Sequence, residues 1–384
     1  WIWHEYNSEV KNLLKQSKSE VIFHFPLLKD EFELCNCIIT SSRIEITPKG
    51  ISLNKIAKFE EAKRRIFMSA TLSDDSVFIS TMGLTKEELT NIITPKKAND
   101  IGDRLFLFPQ LINQEITDDE IRVKIKEISV KYNIAVLVPS NKRAEKWVGY
   151  ADVLVNKDNI EITVRNLKEK HVGLVVFINK YDGVDLPDEA CRVVVIDGIP
   201  SVRNEFDAYE QIVFPNSERL LCEQIQKIEQ GLGRGVRSNN DYCVALLMGM
   251  GLADRLIRED GYRYFSTSTK KQYEISNSIW KQLSESGLKP NIDKIIELFN
   301  YSLCIPRSVD WVKLSKDSLA SLSYGKDAKV NDIDVVLRRA YEFSIKRDYY
   351  NAALVIEKYK NSISNDVTKG YLMQYMAEYM NFQN

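Results

Sequence analysis

The chain has 384 residues, of which 44% are hydrophobic and 28% are charged, and its formal net charge is −1. This composition is typical of a globular protein and argues against a disordered one, and the length predicts two to three domains. A net charge near zero excludes a general basic field, so any contact with nucleic acid must be local. No apolar run reaches the ~18 residues of a membrane span, and no signal peptide is visible. We therefore expect a cytoplasmic protein with no membrane partner.

The first 94 residues mix helical and strand patterns, and they include a short strand from Arg65 that runs into Ser69-Ala70-Thr71. Asp30-Glu31 imitates the acidic pair with which nucleotide motors hold Mg²⁺. The preceding segment contains Pro26 and is no clean central strand, so a surface turn is favoured. The other elements predicted here are a helix at 5–16, strands at 21–25, 34–40 and 43–47, and a helix at 53–62.

A polar linker with Pro and Gly at residues 95–103 is a reasonable domain boundary. From Arg104 to about Phe265, strand patterns alternate with helical patterns, which predicts βαβ units and a parallel sheet. The predicted strands are 134–138, 153–155, 174–178, 192–196 and 242–247, and the predicted helices are 118–130, 141–150, 205–212 and 218–229.

Three motifs in this region carry chemistry. Gly183-Val184-Asp185 follows a buried strand, where open α/β sheets bind ligands; the alternative is an ordinary Asp-Gly turn. Gln230, Gly233, Arg234 and Arg237 are spaced i, i+3, i+4 and i+7. The two arginines share one helix face and form a fork for a phosphate; the alternative is a solvated helix end.

The third motif follows the strand at 134–138. Ser140 is a plausible cap for the next helix, whose free N–H groups, with Lys142 and Arg143, suit a phosphate of nucleic acid. The alternative is an ordinary capped surface helix.

After Phe265 the chain turns helical, with i, i+3, i+4 apolar spacing at 273–283, at 292–299 and from 331 to the end. Small and aromatic residues near Ala340 and Ala352 suggest a helical hairpin somewhat like a tetratricopeptide unit. One such unit supports either a plain packing domain or a surface for a protein partner.

In this order, the motifs resemble those of superfamily 2 helicases. Ser69-Ala70-Thr71 is similar to motif III, Gly183-Val184-Asp185 to motif V, and residues 230–237 to motif VI, Q-x-x-G-R-x-x-R. The strand and turn at 134–140 resemble motif IV, and the motif residues are most similar to those of the XPD/DinG branch. The resemblance covers roughly residues 40–285.

The resemblance implies an α/β fold: a remnant of a first RecA-like lobe at 1–94, a second RecA-like lobe at 95–265 and an all-α region at 266–384. It also implies an ATP site with Mg²⁺. Because the chain has no G-x-x-x-x-G-K-[ST] loop, the phosphate loop and the Mg²⁺ ligands are expected on an absent N-terminal lobe, in cis or as a separate subunit. Neither a zinc nor an iron–sulfur spacing occurs among the cysteines.

The resemblance also implies roles for individual residues. Catalysis falls to Gln230, Arg234 and Arg237; ATP binding to Gly183, Asp185 and Gly233; and contact with nucleic acid, or coupling to it, to Ser69, Thr71, Ser140, Lys142 and Arg143.

Three functions remain open. The first is an ATP-dependent helicase that tracks single-stranded DNA. The second is a translocase of a restriction or defence system that does not unwind. The third is a degenerate lobe that only binds nucleic acid or a partner protein. A Gly-Lys-Thr loop and a DExH box N-terminal to Trp1 would decide for a motor.

Overall fold

The computed structural model describes residues 21–68, 75–90, 93, 102–200, 204–213, 218–236, 238, 240–285, 289–322 and 332–383. The predicted helix at 5–16 and the motif at Ser69 and Thr71 lie outside these residues.

The described residues form two sheets. A two-stranded antiparallel hairpin precedes a six-stranded parallel sheet, whose strand order is β3-β8-β7-β4-β6-β5. The strands are β1 Cys35–Ile39, β2 Ile44–Pro48, β3 Asp103–Leu107, β4 Ile134–Val138, β5 Val153–Val155, β6 Leu174–Ile178, β7 Val193–Asp197 and β8 Tyr242–Met248.

Helices connect the strands and then make up the rest of the chain. They are α1 Val21–Leu28, α2 Ala57–Glu60, α3 Ser76–Ser80, α4 Pro109–Ile112, α5 Asp118–Ser129, α6 Asn141–Ala144, α7 Ile160–Glu169, α8 Glu205–Val213, α9 Glu218–Leu232, α10 Met250–Ala253, α11 Thr267–Glu285, α12 Ile292–Glu297, α13 Phe299–Leu303, α14 Val309–Ala320, α15 Asp332–Ile345, α16 Tyr349–Lys360 and α17 Asp366–Gln383.

The parallel sheet forms the main core, and it confirms the predicted α/β class. Every residue of β3, β4 and β7 is buried, as expected for strands of a parallel sheet that is covered on both faces. Helices from the C-terminal region join this core: the Phe108 ring lies 5.9 Å from that of Tyr273 and 5.0 Å from that of Trp280, centroid to centroid. The helical region after Phe265 is therefore confirmed, and its first part packs on the sheet.

A second core joins the hairpin segment to the last three helices. Leu34 packs there with Tyr341, Ile356 and Tyr379 from α15, α16 and α17. Glu31 lies at the edge of this core, where it accepts hydrogen bonds from Tyr341 (2.6 Å) and Ser52 (2.9 Å). The carboxylate of Glu31 thus holds the hairpin segment to α15, which is a packing role.

The sequence pattern does not predict strand β3, since it indicates a linker up to residue 103. The first two residues of β3 are charged, and both are buried only because distant side chains pair with them. Asp103 accepts from Arg307 at 2.7 Å, and the Arg104 guanidinium donates to Gln272 at 2.7 Å. No pattern in the neighbouring sequence predicts such distant partners.

Two predictions in the N-terminal segment are wrong. The predicted strand at 21–25 belongs to α1, because a short apolar run without alternation does not separate strand from helix. The predicted helix at 53–62 is broken: a 3₁₀ turn at Leu53–Lys55 precedes the four residues of α2. Residues 65–68, the described part of the strand predicted before Ser69, have no strand pairing among the described residues.

Among the described residues, no helix is both long and apolar enough to cross a membrane.

Candidate functional site

The carboxyl ends of the sheet strands bring the predicted motifs to one edge. β5 and β6 lie on one side of β4, whereas β7 and β8 lie on the other, so the winding reverses at β4. Ligands of open parallel sheets bind in the crevice that such a reversal creates. Ser140 follows β4 and the Gly183 loop follows β6, so both motifs lie at this crevice.

Helix α9 brings the predicted arginine motif against the Gly183 loop. Beyond its last residue, Leu232, the chain makes a 3₁₀ turn over Gly233–Gly235. The Arg234 guanidinium in this turn donates to the backbone carbonyl of Val184. Two motifs 50 positions apart in the sequence are thus in direct contact.

Glycines allow this close approach. Gly183 has φ +77°, a left-handed conformation that L side chains rarely adopt. A Cβ on Gly231 would lie 2.7 Å from the Leu137 side chain, so glycine lets α9 pack on β4 without displacing that side chain. Around Gly233, in contrast, no heavy atom of the described residues crowds such a Cβ within 4 Å, so space remains open beside the turn.

The side chains of the arginine motif differ in exposure. Arg234 is only 3% exposed, so in this conformation it braces the Gly183 loop from inside. Gln230 and Asp185 are partly exposed. Arg237 lies outside the described residues. Contact of these residues with a nucleotide stays a prediction.

The Ser140 motif is built as predicted at its first residue and differs after it. The Ser140 hydroxyl accepts from the backbone N–H of Arg143 at 3.3 Å and caps α6. The helix ends at Ala144 and continues as a 3₁₀ turn over Glu145–Trp147, so it is shorter than the predicted 141–150. Lys142 is exposed.

The Arg143 guanidinium is held by carboxylates within the chain. Its Nε donates to Asp197 at 2.8 Å and its Nη2 to Asp118 at 2.7 Å. Asp197 is fully buried at the end of β7, and it also accepts from the Trp147 indole at 2.7 Å. Arg143 therefore ties α6 to β7 and α5, while its predicted contact with nucleic acid stays a prediction.

Burial and charge compete in this network. Burial raises the pKa of Asp197, although the Arg143 guanidinium and the Trp147 N–H oppose it. Burial also acts to lower the pKa of Arg143, but Asp197 and Asp118 outweigh it and leave that pKa raised. The sequence prediction missed both aspartates; the signal available was the charged residue that ends the apolar run of β7.

The network continues along the edge of the sheet. The Gln110 side chain donates to Asp118 at 2.7 Å and accepts from the backbone N–H of Gly249 at 2.6 Å. The ends of β3, β7 and β8 are thereby linked through side chains. Among the described residues, no group of three or more His, Cys, Asp or Glu side chains could hold a metal ion.

Comparison with protein families identifies one part of the chain. Residues 125–272 match the family described as the helicase C-terminal domain.

Residues 125–272 form a helicase C-terminal domain.

This domain includes the motifs at 134–140, 183–185 and 230–237, so the predicted resemblance to helicases is confirmed for it. No curated protein matches the chain. Two solved structures, titled XPD helicase and XPD apo, are similar, each at 20% sequence identity and a TM-score of 0.42. The matches cover 66% and 65% of this chain. The chain spans 53% and 58% of the length of those two structures.

Proposed function

We propose that the chain is the C-terminal motor half of an ATP-dependent DNA helicase or translocase of the XPD/DinG type. An N-terminal lobe, in cis or as a separate subunit, would complete its ATP site. The observation that carries this proposal is the contact between Arg234 and Val184 inside the helicase C-terminal domain. It joins the two motifs that a helicase needs on the same side of its nucleotide.

The residues around this contact fit a nucleotide. Open space beside Gly233 and the left-handed turn at Gly183 leave backbone unobstructed by side chains of the described residues. Partly exposed Gln230 and Asp185 offer an amide and a carboxylate for a ribose or an attacking water. ATP supplies the phosphoanhydride whose hydrolysis drives movement, and the N-terminal lobe supplies the Mg²⁺ ligands and the phosphate loop.

In this mechanism the arginines stabilise charge that spreads over the transferring phosphoryl group. Arg237 and Arg234 reach the γ-phosphate across the interface between lobes, and Gln230 orders that contact. Because Arg234 is bonded to the Val184 carbonyl, it exchanges that carbonyl for a phosphate oxygen when the lobes close. Lobe closure therefore changes the contact that holds the Gly183 loop. Ser69 and Thr71 couple this change to the N-terminal lobe.

The same edge of the sheet holds the nucleic acid. Ser140 and the exposed Lys142 contact backbone phosphates of single-stranded DNA, and Arg143 fixes their helix to β7 through Asp197. Closure moves this strand relative to the N-terminal lobe.

The half-site makes this proposal testable. We expect purified residues 1–384 to show no ATPase above background, with or without single-stranded DNA. Addition of the N-terminal lobe should restore DNA-stimulated hydrolysis, and a lobe with its phosphate-loop lysine changed to alanine is the matched control. Unwinding of a forked duplex then separates a helicase from a translocase that only displaces bound streptavidin. Robust hydrolysis by residues 1–384 alone would contradict the half-site.

A further inference from the structure

A cleft of about 420 Å³ lies beside the Arg143 network. It opens where β3, β7 and β8 end, and its walls include Arg143, Ile199, Gly249, Met250 and Gly251. Its volume lies within the range of small-molecule sites. None of the roles assigned above uses this cleft.

Arg143 presents fixed donors to the cleft. Its Nε and Nη2 are occupied by Asp197 and Asp118, whereas no hydrogen bond formed among the described residues uses its Nη1. The side chain is 29% exposed and lines the cleft, so Nη1 is the donor that remains for a ligand. Two carboxylates hold the guanidinium plane, so its donors are preorganised.

Charge selects the kind of ligand. Asp118 lies in the wall of the cleft, and together with Asp197 it offsets the positive charge of Arg143. A phosphate there would be repelled by Asp118 at short range. A neutral group with hydrogen-bond acceptors on one edge suits the cleft better.

The walls favour a flat group. Gly198 and Gly249, with φ of +91° and +102°, present bare backbone, and a Cβ on Gly249 would lie 3.8 Å from the Gly198 Cα. Ile199 and Met250 add apolar surface. Apolar walls with a fixed donor at one edge match a nucleobase, whose ring has apolar faces and acceptor atoms at its edge.

We propose that this cleft binds one nucleobase of the strand whose backbone Ser140 and Lys142 hold. The inference rests on the proposed function, because the strand must run along this edge. The cleft would then add a contact with a base to a nucleic-acid site that otherwise contacts only phosphates. The base is inserted between Met250 and Ile199 and accepts from Arg143 Nη1.

Gly251→Leu tests the proposal. Gly251 lies in α10 without a left-handed φ, and a Cβ there meets only the Ile199 side chain among the described residues, at 3.4 Å, so a larger side chain is tolerated and fills the cleft. The matched control is Gly370→Leu, at an exposed glycine of α17 whose Cβ would have no described atom within 4 Å. Met250→Ala, which removes one wall, is the second variant if Gly251→Leu fails to fold.

Binding is measured by anisotropy with a single-stranded oligonucleotide and an abasic oligonucleotide that has the same number of phosphates. We expect the unmodified chain to prefer the base-containing strand by about tenfold, the low end of what a hydrogen bond to a charged group contributes. Gly251→Leu and Met250→Ala should lose this preference, and Gly370→Leu should keep it. A 2-aminopurine in the strand should become brighter on binding to the unmodified chain, because the cleft separates it from its neighbouring bases and has no aromatic residue among its lining residues. It should not become brighter on binding to Gly251→Leu.

The outcomes separate this inference from the proposed function. Equal affinity for both oligonucleotides, or an unchanged preference in the folded cleft variants, overturns the nucleobase site and leaves the phosphate track standing. If free 2-aminopurine riboside binds as tightly as 2-aminopurine in the strand, the assignment of the cleft to a base of a strand is overturned. No binding of either oligonucleotide overturns both proposals.

Discussion

Arg234 gives the sharpest prediction, because it has one role in the structure, the contact with Val184, and a second role in the proposed mechanism, that of an arginine finger. The residue is 3% exposed, and its guanidinium donates to the Val184 carbonyl. A hydrogen bond to a charged group contributes about 1.5–3 kcal/mol. At about 2–4 °C per kcal/mol for a domain of this size, Arg234→Ala should lower the Tm by roughly 3–12 °C. Thermal unfolding of residues 1–384, followed by circular dichroism, measures this effect.

The arginine-finger role can be measured only in the complete enzyme. Loss of an arginine finger lowers turnover by about 10³-fold, which corresponds to about 4 kcal/mol of transition-state stabilisation. The KM for ATP should change less, because the arginine acts on charge that develops during transfer. Steady-state ATPase assays with saturating single-stranded DNA provide both constants. Arg237→Ala should lower turnover to a similar extent.

Arg165→Ala is the matched control, since Arg165 is an exposed arginine of α7; it should change stability by less than about 0.5 kcal/mol. If Arg234→Ala melts like this control, the buried contact with Val184 does not brace the loop. If turnover and KM of the complete enzyme stay near wild type, neither the arginine-finger role nor the exchange of Val184 for phosphate holds.

Two further predictions concern the edge of the sheet. Asp197→Ala should destabilise the chain by about 3 kcal/mol, because it leaves the buried Trp147 N–H and the Arg143 guanidinium without their shared acceptor. Urea unfolding measures this loss. A loss no larger than that of Asp158→Ala, a control at an exposed aspartate that should change stability by less than about 0.5 kcal/mol, would contradict the prediction. Replacing Ser140 and Lys142 together with alanine should make the slope of log affinity for single-stranded DNA against log salt shallower by about 0.7 for each phosphate that is no longer bound. An unchanged slope from titrations at several salt concentrations would show that neither residue contacts phosphate and that both belong to an ordinary capped surface helix.

Much of the fold can be predicted from the sequence where the signal is local. β4, β5 and β6 have the predicted bounds, because strands of a parallel sheet are continuous apolar runs bounded by turn residues. The order of motifs also predicts the helicase C-terminal domain. Both signals come from short stretches whose meaning depends little on the rest of the chain.

The hairpin shows where local signals are insufficient. Alternation of side chains predicts β1 and β2, yet it does not predict their packing against the last three helices. Tyr341 donates its hydroxyl hydrogen bond to Glu31, which lies 310 positions earlier in the chain. An acidic residue in a turn carries no local sign of such a partner.

Local sequence is sufficient for the apolar strands β4, β5 and β6, for the glycine-dependent turn at Gly183 and for the position of Arg234 just beyond the end of α9. The contacts of the charged side chains, in contrast, depend on how the whole chain folds. Arg143 binds Asp197, 54 positions away, and Arg234 turns inward to Val184. Backbone conformation and apolar burial follow largely from neighbouring residues. A buried charge needs a specific partner, and folding can bring that partner from anywhere in the chain.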